Sequence, residues 1–419
     1  MSRPTVRALR FSLAPHRVAL AVTAGRFRSD VLHGGPGSPL RLTEIPRPER
    51  PAGWVRIAPL LAGICASDRK YLSVDGFGTT LTALYGFPRG GIVLGHEVVG
   101  QVVDADPGSG FSAGDRVVAE PTLGCTHKGF ATCDRCASGD DHLCAHFADR
   151  GTLGQGAGFG FDARFGGGWA EELVAPLERV HHVPAGLDDR SAVLAEPTAI
   201  ATHAVLRNLP RAGDRVLVIG PGAIGLSVVH ALTQLAPDVD VTVAGIGHAA
   251  DALALRAGAT GLLHGTRRVL VEAAGELLGS DRRGNAVSGP VLEAGFDVVF
   301  DAVGSPQTID DGFRMTRPGG TVVLVGTAIR QKVDWSLVWH RELRVAGTVF
   351  YGVEDVPGRA LVAAGRRRAF QIALDVLSEV RPGHLVTHVF PLDQPVEALD
   401  TAAAGPGRGA VRVAFAPAA

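Results

Sequence analysis

At 419 residues the chain is longer than one hydrophobic core comfortably serves, which predicts two domains. Apolar residues make up 46% and charged residues 20% of it, a balance that excludes a disordered polypeptide unable to bury enough surface to offset its chain entropy. Forty-one Lys and Arg against 42 Asp and Glu leave a net charge of −1, so no overall field draws the protein to nucleic acid or to an anionic membrane, and small-molecule partners are expected.

The N-terminus carries several Arg residues and then a run, 18–24 (VALAVTA), that is apolar apart from Thr23. It reads as a first strand segment rather than a signal-peptide core, because no cleavage context follows it; a cytoplasmic protein is expected. Through about residue 195, short apolar runs at 92–94, 98–103 and 116–119 are separated by Gly, Asp and Pro, the pattern of a small irregular β domain. From about Ala199 strands alternate with Ala/Leu-rich helical stretches: a strand at 215–219, a helix through Leu232, a strand at 241–244, a helix at 250–257, and strands at 297–301 and 321–325. That alternation predicts a parallel sheet with crossover helices. After Glu342 the chain turns β-like again, with one helix at 369–379 and a closing strand at 411–415.

Residues 216–232 hold no Lys, Arg, Asp or Glu and approach membrane-spanning length. Gly220, Pro221, Gly222 and Gly225 inside the run predict instead a buried strand, a tight turn and a helix. The segment reads RVLVIGPGAIG, a strand entering G-x-G-x-x-G and then a helical run. In that context Gly220 permits the turn, Gly222 lets backbone N–H groups approach a pyrophosphate, and Gly225 lets the helix pack on the strand, with Ala223 and Ile224 opening a helix whose N-terminus faces phosphate. A carboxylate to accept hydrogen bonds from the adenosine ribose is expected at the end of the second strand. It is missing: the strand runs into Gly245, Ile246, Gly247 and His248, and no Arg occupies the turn either. NAD and NADP both remain open.

Only five cysteines occur, and four of them, Cys125, Cys133, Cys136 and Cys144, fall within 20 residues. Cys133 and Cys136 can clasp one side of a tetrahedral Zn²⁺, while seven-residue gaps on either side let loops return Cys125 and Cys144 to the other, closing the shell of a structural site. Cys65 stands alone in GICASD; His96 and Glu97 follow in GHEVVG, and Glu196 in AEPTAI. Cys, His and carboxylate together can hold Zn²⁺ with one position open.

These residues and their order resemble the zinc-containing medium-chain dehydrogenases, the alcohol, sorbitol, threonine and glucose dehydrogenase type. GICASD, GHEVVG, AGDRVV, the four-Cys lobe, GGGWAEELVAP, AEPTAI, VLVIGPGAIG, FDVVFDAVGS, RPGGTVVLVG and HVFPLDQPVEAL carry the resemblance from about Arg41 onward. It implies an α/β protein with a GroES-like β domain (1–198 and 345–419) and a doubly wound Rossmann domain (199–344), an active-site cleft between them, two Zn²⁺ per chain, NAD or NADP, a small alcohol/carbonyl substrate, and a homodimer or homotetramer. By the same resemblance Cys65, His96 and Glu196 ligate the catalytic zinc, and Glu97 ligates it transiently or supports it. Ser67 passes the alcohol proton outward, Asp68 orients His96, and Gly326 joins Gly220, Gly222, Ala223, Ile224 and Gly225 at the cofactor. Lys70 stands where many members have a relay His, and the longer 68–95 segment brings Tyr71, Phe77 and Tyr85 toward the expected pocket. Two other readings compete: a zinc-free enone or quinone reductase of the same architecture, and a non-catalytic zinc module. The first has no use for Cys65, His96 and Glu196, and the second none for Ser67.

Overall fold

In the computed structural model, residues 1–3, 13, 25–33, 35–36, 73–90, 148, 150–157, 162–163, 286–287 and 419 lie outside the described part. The chain folds as two units, Met1–Glu196 with Arg381–Gly405 and Ala410–Ala419, and Pro197–Val380 with Pro406–Gly409.

The second unit is built on six parallel strands in the order Gly261–His264, Asp240–Gly245, Arg215–Ile219, Phe296–Asp301, Thr316–Leu324 and Arg344–Gly347. Strand order reverses beside Arg215–Ile219, the switch point at whose carboxyl ends open α/β sheets bind ligands. The charge-free run predicted to be strand, turn and helix has that form: after Arg215–Ile219 comes helix Ala223–Leu235. The strand's Val216, Leu217 and Val218 are fully buried, as are Val228, Val229 and Leu232 of the helix. A continuous apolar run is what a strand covered on both faces requires. Among the described residues no helix is long and apolar enough to cross a membrane.

This unit reaches further along the chain than the boundary expected at residue 344. Arg344–Gly347 pairs with Thr316–Leu324 as the last strand of the sheet, and helix Ala369–Val380 packs against Ala223–Leu235. Residues 345–380 therefore fold with the dinucleotide unit, because their partners are its outer strand and helix. Part of the β-like composition after Glu342 belongs to a hairpin of this unit, Val353–Val356 with Gly365–Arg368.

The first unit is mainly antiparallel. Trp54–Gly63, Val98–Asp104, Arg116–Ala119 and Val180–His182 run side by side, and Arg412–Ala416 pairs with the end of Trp54–Gly63 on one side and, in parallel, with the edge strand Val386–Pro391 on the other. Leu173–Pro176 pairs with the start of Trp54–Gly63, and a smaller sheet joins Leu40–Pro46, Thr5–Phe11 and Ile92–Val93. Between the sheets lies a core that includes Leu9, Phe11, Val55, Ile57, Trp169, Leu173 and Phe415. Residues 18–24, expected as strand, lie instead in helix Pro15–Ala24. Apolar residues without alternation fit either state, and here Pro15 at the first helical position and four alanines or leucines decide for helix.

Candidate metal centres and dinucleotide site

Cys65 sits at the end of a strand and the start of a helix: Trp54–Gly63 leads through Ile64 and Cys65 into Ala66–Leu72. Asp68, three residues on and fully buried, accepts the Cys65 N–H at Oδ2 (2.9 Å), the return half of a capping box. Its other oxygen lies 3.3 Å from His96 Nδ1. One carboxylate thus fixes both the thiol-bearing turn and the imidazole, leaving Nε2 as the ring nitrogen for a ligand. Burial disfavours a charged His96, but Asp68 outweighs it and holds the imidazole pKa well above its ordinary value. Phe161 stacks on the ring, with centroids 5.2 Å apart.

Glu97 follows on the same segment and is fully buried. Its Oε1 lies 3.0 Å from Arg412 Nη1, which also donates to the Ile64 carbonyl (3.0 Å). Neither carboxylate oxygen of Glu97 has a hydrogen-bond partner of good geometry among the described residues. A Cβ on Gly63 would lie 2.0 Å from Glu97 Oε2, so the glycine of GICASD is needed for the carboxylate to fit. The ligand atoms of Cys65, His96 and Glu97 lie within 4.8 Å of one another. Glu196, in the first turn of helix Ala195–Arg207, is buried beside them but outside that trio. Burial, opposed by His96 and aided by Glu97, pushes its carboxyl up to about 7.

A half-buried thiol beside a buried imidazole and a buried carboxylate, with a second buried carboxylate near them, carries more negative charge than Arg412 alone offsets, and Glu97 Oε2, with no hydrogen-bond partner among the described residues, is an atom that a metal ion would satisfy. The residues therefore fit zinc. Ser67 is half-buried in the first turn of Ala66–Leu72. Lys70 is half-buried on the same helix, and burial lowers its pKa. Phe77 and Tyr85 lie outside the described residues; Tyr71 packs against Phe161, centroids 6.4 Å apart.

The four remaining thiols converge. Cys125 precedes the turn Thr126–Lys128, Cys133 caps and Cys136 lies within the single helical turn Asp134–Ala137, and Cys144 ends the turn Asp141–Leu143. All four sulfurs lie within 4.8 Å of one another, with Cys125 and Cys144 Sγ at 3.3 Å. The seven-residue gaps are absorbed by these single turns. Backbone N–H groups of Cys136 and Ala145 draw the Cys133 thiol down to about 6, whereas burial pushes Cys136 up to about 11 and raises Cys144 as well. Four contacting thiols cannot all ionise alone; a divalent ion at their centre would let them. Lys128, 1% exposed, donates to the carbonyls of His146 and Phe147 and brings a positive charge to the lobe.

In the second unit Gly220 takes φ +99°, Gly222 is the N-cap of helix Ala223–Leu235, and a Cβ on Gly225 would come 1.9 Å from the Gly220 carbonyl. A Cβ on Gly222 would meet nothing within 4 Å, so the space a pyrophosphate would enter at this helix N-terminus is open. Gly326 donates its N–H to the Asp301 carbonyl (2.8 Å) beyond strand Thr316–Leu324, and Asp301 Oδ1 accepts from Val303 and Gly304. The sequence motifs did not single out Arg412 or Trp169. Trp169 is fully buried and its Nε1–H donates to the Gly63 carbonyl (3.3 Å), pinning the turn into Cys65. Its place inside GGGWAEELVAP was a signal; Arg412, a lone cation in the strand RVAFA, offered none until its partner Glu97 was located.

Comparisons with known proteins agree with this architecture. Residues 51–185 match the family description "Alcohol dehydrogenase GroES-like domain" and residues 223–364 match "Zinc-binding dehydrogenase". The chain is 30% identical over 319 residues to L-threonine 3-dehydrogenase of Streptomyces coelicolor, covering 75% of this chain and 81% of that protein. It is 28% identical over 356 residues to sorbitol dehydrogenase of Halalkalibacterium halodurans, covering 84% and 89%. Among solved structures, 2R,3R-butanediol dehydrogenase of Bacillus subtilis shares the fold with a TM-score of 0.68 at 22% identity, over 98% of this chain and 99% of that one. The fold and the sequence relatives define a zinc-dependent oxidoreductase that transfers hydride between a small alcohol and NAD(P). The chain belongs to the zinc-containing medium-chain dehydrogenase family.

Proposed function

We propose that this enzyme oxidises a secondary hydroxyl of a polyol or sugar, or reduces the matching ketone, at a zinc centre held by Cys65, His96 and Glu97. The observation that carries the assignment is the convergence of these three donors, His96 and Glu97 buried and Cys65 half-buried, with neither Glu97 oxygen in a hydrogen bond of good geometry among the described residues. Glu196, the ligand expected from sequence, adds a second buried carboxylate whose charge favours a cation in the same place. Cys125, Cys133, Cys136 and Cys144 hold a second zinc that ties their loop together. Gly220, Gly222, Ala223, Ile224, Gly225 and Gly326 seat the dinucleotide.

Zinc held by Cys65, His96 and Glu97 would supply Lewis acidity toward a bound hydroxyl, and a dinucleotide seated at residues 220–225 would supply the hydride acceptor. The chain's own part is to hold the donors and to move the proton. Asp68 keeps the His96 ring and the Cys65 turn in register, Arg412 offsets the charge of Glu97, and Ser67 takes the hydroxyl proton toward solvent. A polyol rather than a simple alcohol is favoured by Glu196, which occupies the place of a cysteine in many alcohol dehydrogenases, and by relatives named sorbitol dehydrogenase and D-xylulose reductase. The protein works in the cytoplasm as a homodimer or homotetramer; strand Arg344–Gly347 ends its sheet, and Trp335 and Trp339 nearby in sequence are 54% and 83% exposed.

The test is zinc content together with nicotinamide absorbance on a panel of polyols, sugars, simple alcohols and L-threonine, each with NAD and with NADP. Two zinc ions per chain and highest kcat/KM on a polyol are expected. Turnover that survives complete removal of zinc, or strict preference for a primary aliphatic alcohol, would overturn the reading.

A further inference from the structure

The turn after strand Asp240–Gly245 lacks the acidic residue that usually reads a ribose, but it is not chemically bare. His248 Nδ1 lies 2.9 Å from Asp251 Oδ2, and His264 Nε2 lies 3.4 Å from the same oxygen. These three ligand atoms fall within 4.8 Å of one another, a third such cluster among the described residues and remote in sequence from the other two. The two imidazole rings are 3.9 Å apart between centroids and inclined by 53°.

The backbone holds the donors in place. Gly245 and His264 are register partners on adjacent parallel strands, and Gly265 N–H donates to the Gly245 carbonyl (3.0 Å). The Asp251 N–H donates to the His248 carbonyl (3.1 Å), fixing the turn that opens helix Asp251–Ala257. Among the described residues His264 Nδ1 is buried and has no hydrogen-bond partner, whereas the His248 side chain is 77% exposed. An ion arriving from solvent would meet two imidazoles and one carboxylate. With bonds of about 2.0–2.1 Å, tetrahedral donors sit about 3.3 Å apart, close to the separations found here.

We propose that His248, Asp251 and His264 form a third metal site, taking a first-row divalent ion such as Zn²⁺ or Co²⁺ with its remaining positions open to water. Two imidazoles and a carboxylate are a donor set that such ions prefer over Mg²⁺ or Ca²⁺. An anion such as a cofactor 2′-phosphate is the weaker fit, because Asp251 Oδ2 lies within 3.4 Å of a nitrogen of each ring. Bound metal would clamp the second strand's exit to the third strand's end.

The experiment uses full-length protein free of any histidine tag, equilibrated with micromolar Co²⁺ or Zn²⁺, with metal per chain counted by mass spectrometry. Wild type should bind one equivalent more than His264→Ala and than Asp251→Asn, and the extra Co²⁺ should broaden or shift the His248 ring signals in NMR. Should His264→Ala not fold, the exposed His248→Ala gives the same comparison. If the two proposed zinc centres fail, the count falls equally in all variants and the difference of one survives, so the two readings are separable. Equal metal counts in wild type and every variant would overturn the proposal, as would variants that lose only NADP affinity while their metal count stays unchanged.

Discussion

Replacing Gly63 by Ala perturbs the proposed catalytic centre without removing any donor. The added Cβ would lie 2.0 Å from Glu97 Oε2, and apolar contact needs about 3.5 Å, so the carboxylate must retreat by about 1.5 Å. Room to do so is small: the Gly63 N–H donates to the Glu97 carbonyl (2.9 Å), Arg412 holds Oε1 at 3.0 Å, and Glu97 is fully buried. Forced repacking of this kind costs about 1–3 kcal/mol of stability. Metal bonds tolerate only about 0.2 Å, so losing Glu97 from its position should weaken catalytic-zinc affinity by roughly 10- to 100-fold, on the scale of disturbed ligand support. Competition against a chromogenic chelator measures it, and the four-cysteine centre serves as internal control. The expected result is one tight and one weakened zinc per chain. Two zinc ions of unchanged affinity would refute the assignment of Glu97 as the third donor.

Other substitutions probe the rest of the molecule. Burial pushes the Asp311 carboxyl up to about 6, so its charged form destabilises the fold above that pH, while below the ordinary carboxylate range near 4 both states are protonated and the cost vanishes. Asp311→Asn should therefore stabilise helix Pro306–Met315 by about 1–3 kcal/mol at pH 8, the gap closing as pH falls through 6 toward 4; amide hydrogen exchange of that helix would read it, and a pH-independent gap would contradict the argument. Cys136→Ser should release one zinc per chain and make the 125–144 lobe sensitive to proteolysis, while the other zinc stays bound. Ser67→Ala should lower kcat about 10²-fold or more with zinc content unchanged, if its hydroxyl carries the proton; kcat within twofold of wild type would remove it from the relay.

Much of this was legible because its physics is local. The strand at 215–219, its turn and its helix follow from β-branched residues running into glycines, and the glycines meet constraints set by residues within a few positions. Cys133 and Cys136 likewise announce a metal by spacing alone. The 18–24 run failed for the complementary reason: it has no alternation to separate strand from helix, and the deciding Pro15 lies outside it. The boundary at 344 failed because membership of the last sheet strand is settled by pairing with Thr316–Leu324, not by composition.

What the amino-acid order alone determined, then, is the pair of folds, the dinucleotide turn and the set of residues able to bind zinc, since each depends on short-range pattern. Which carboxylate brings an oxygen within 4.8 Å of the Cys65 and His96 ligand atoms was decided only in three dimensions. Glu97 and Glu196 are chemically alike, and Glu97 is held there by Arg412, 315 residues away, with Gly63 leaving space for its side chain. The same holds for His248, Asp251 and His264, brought together by the parallel register of two strands, a long-range pairing that no local motif encodes.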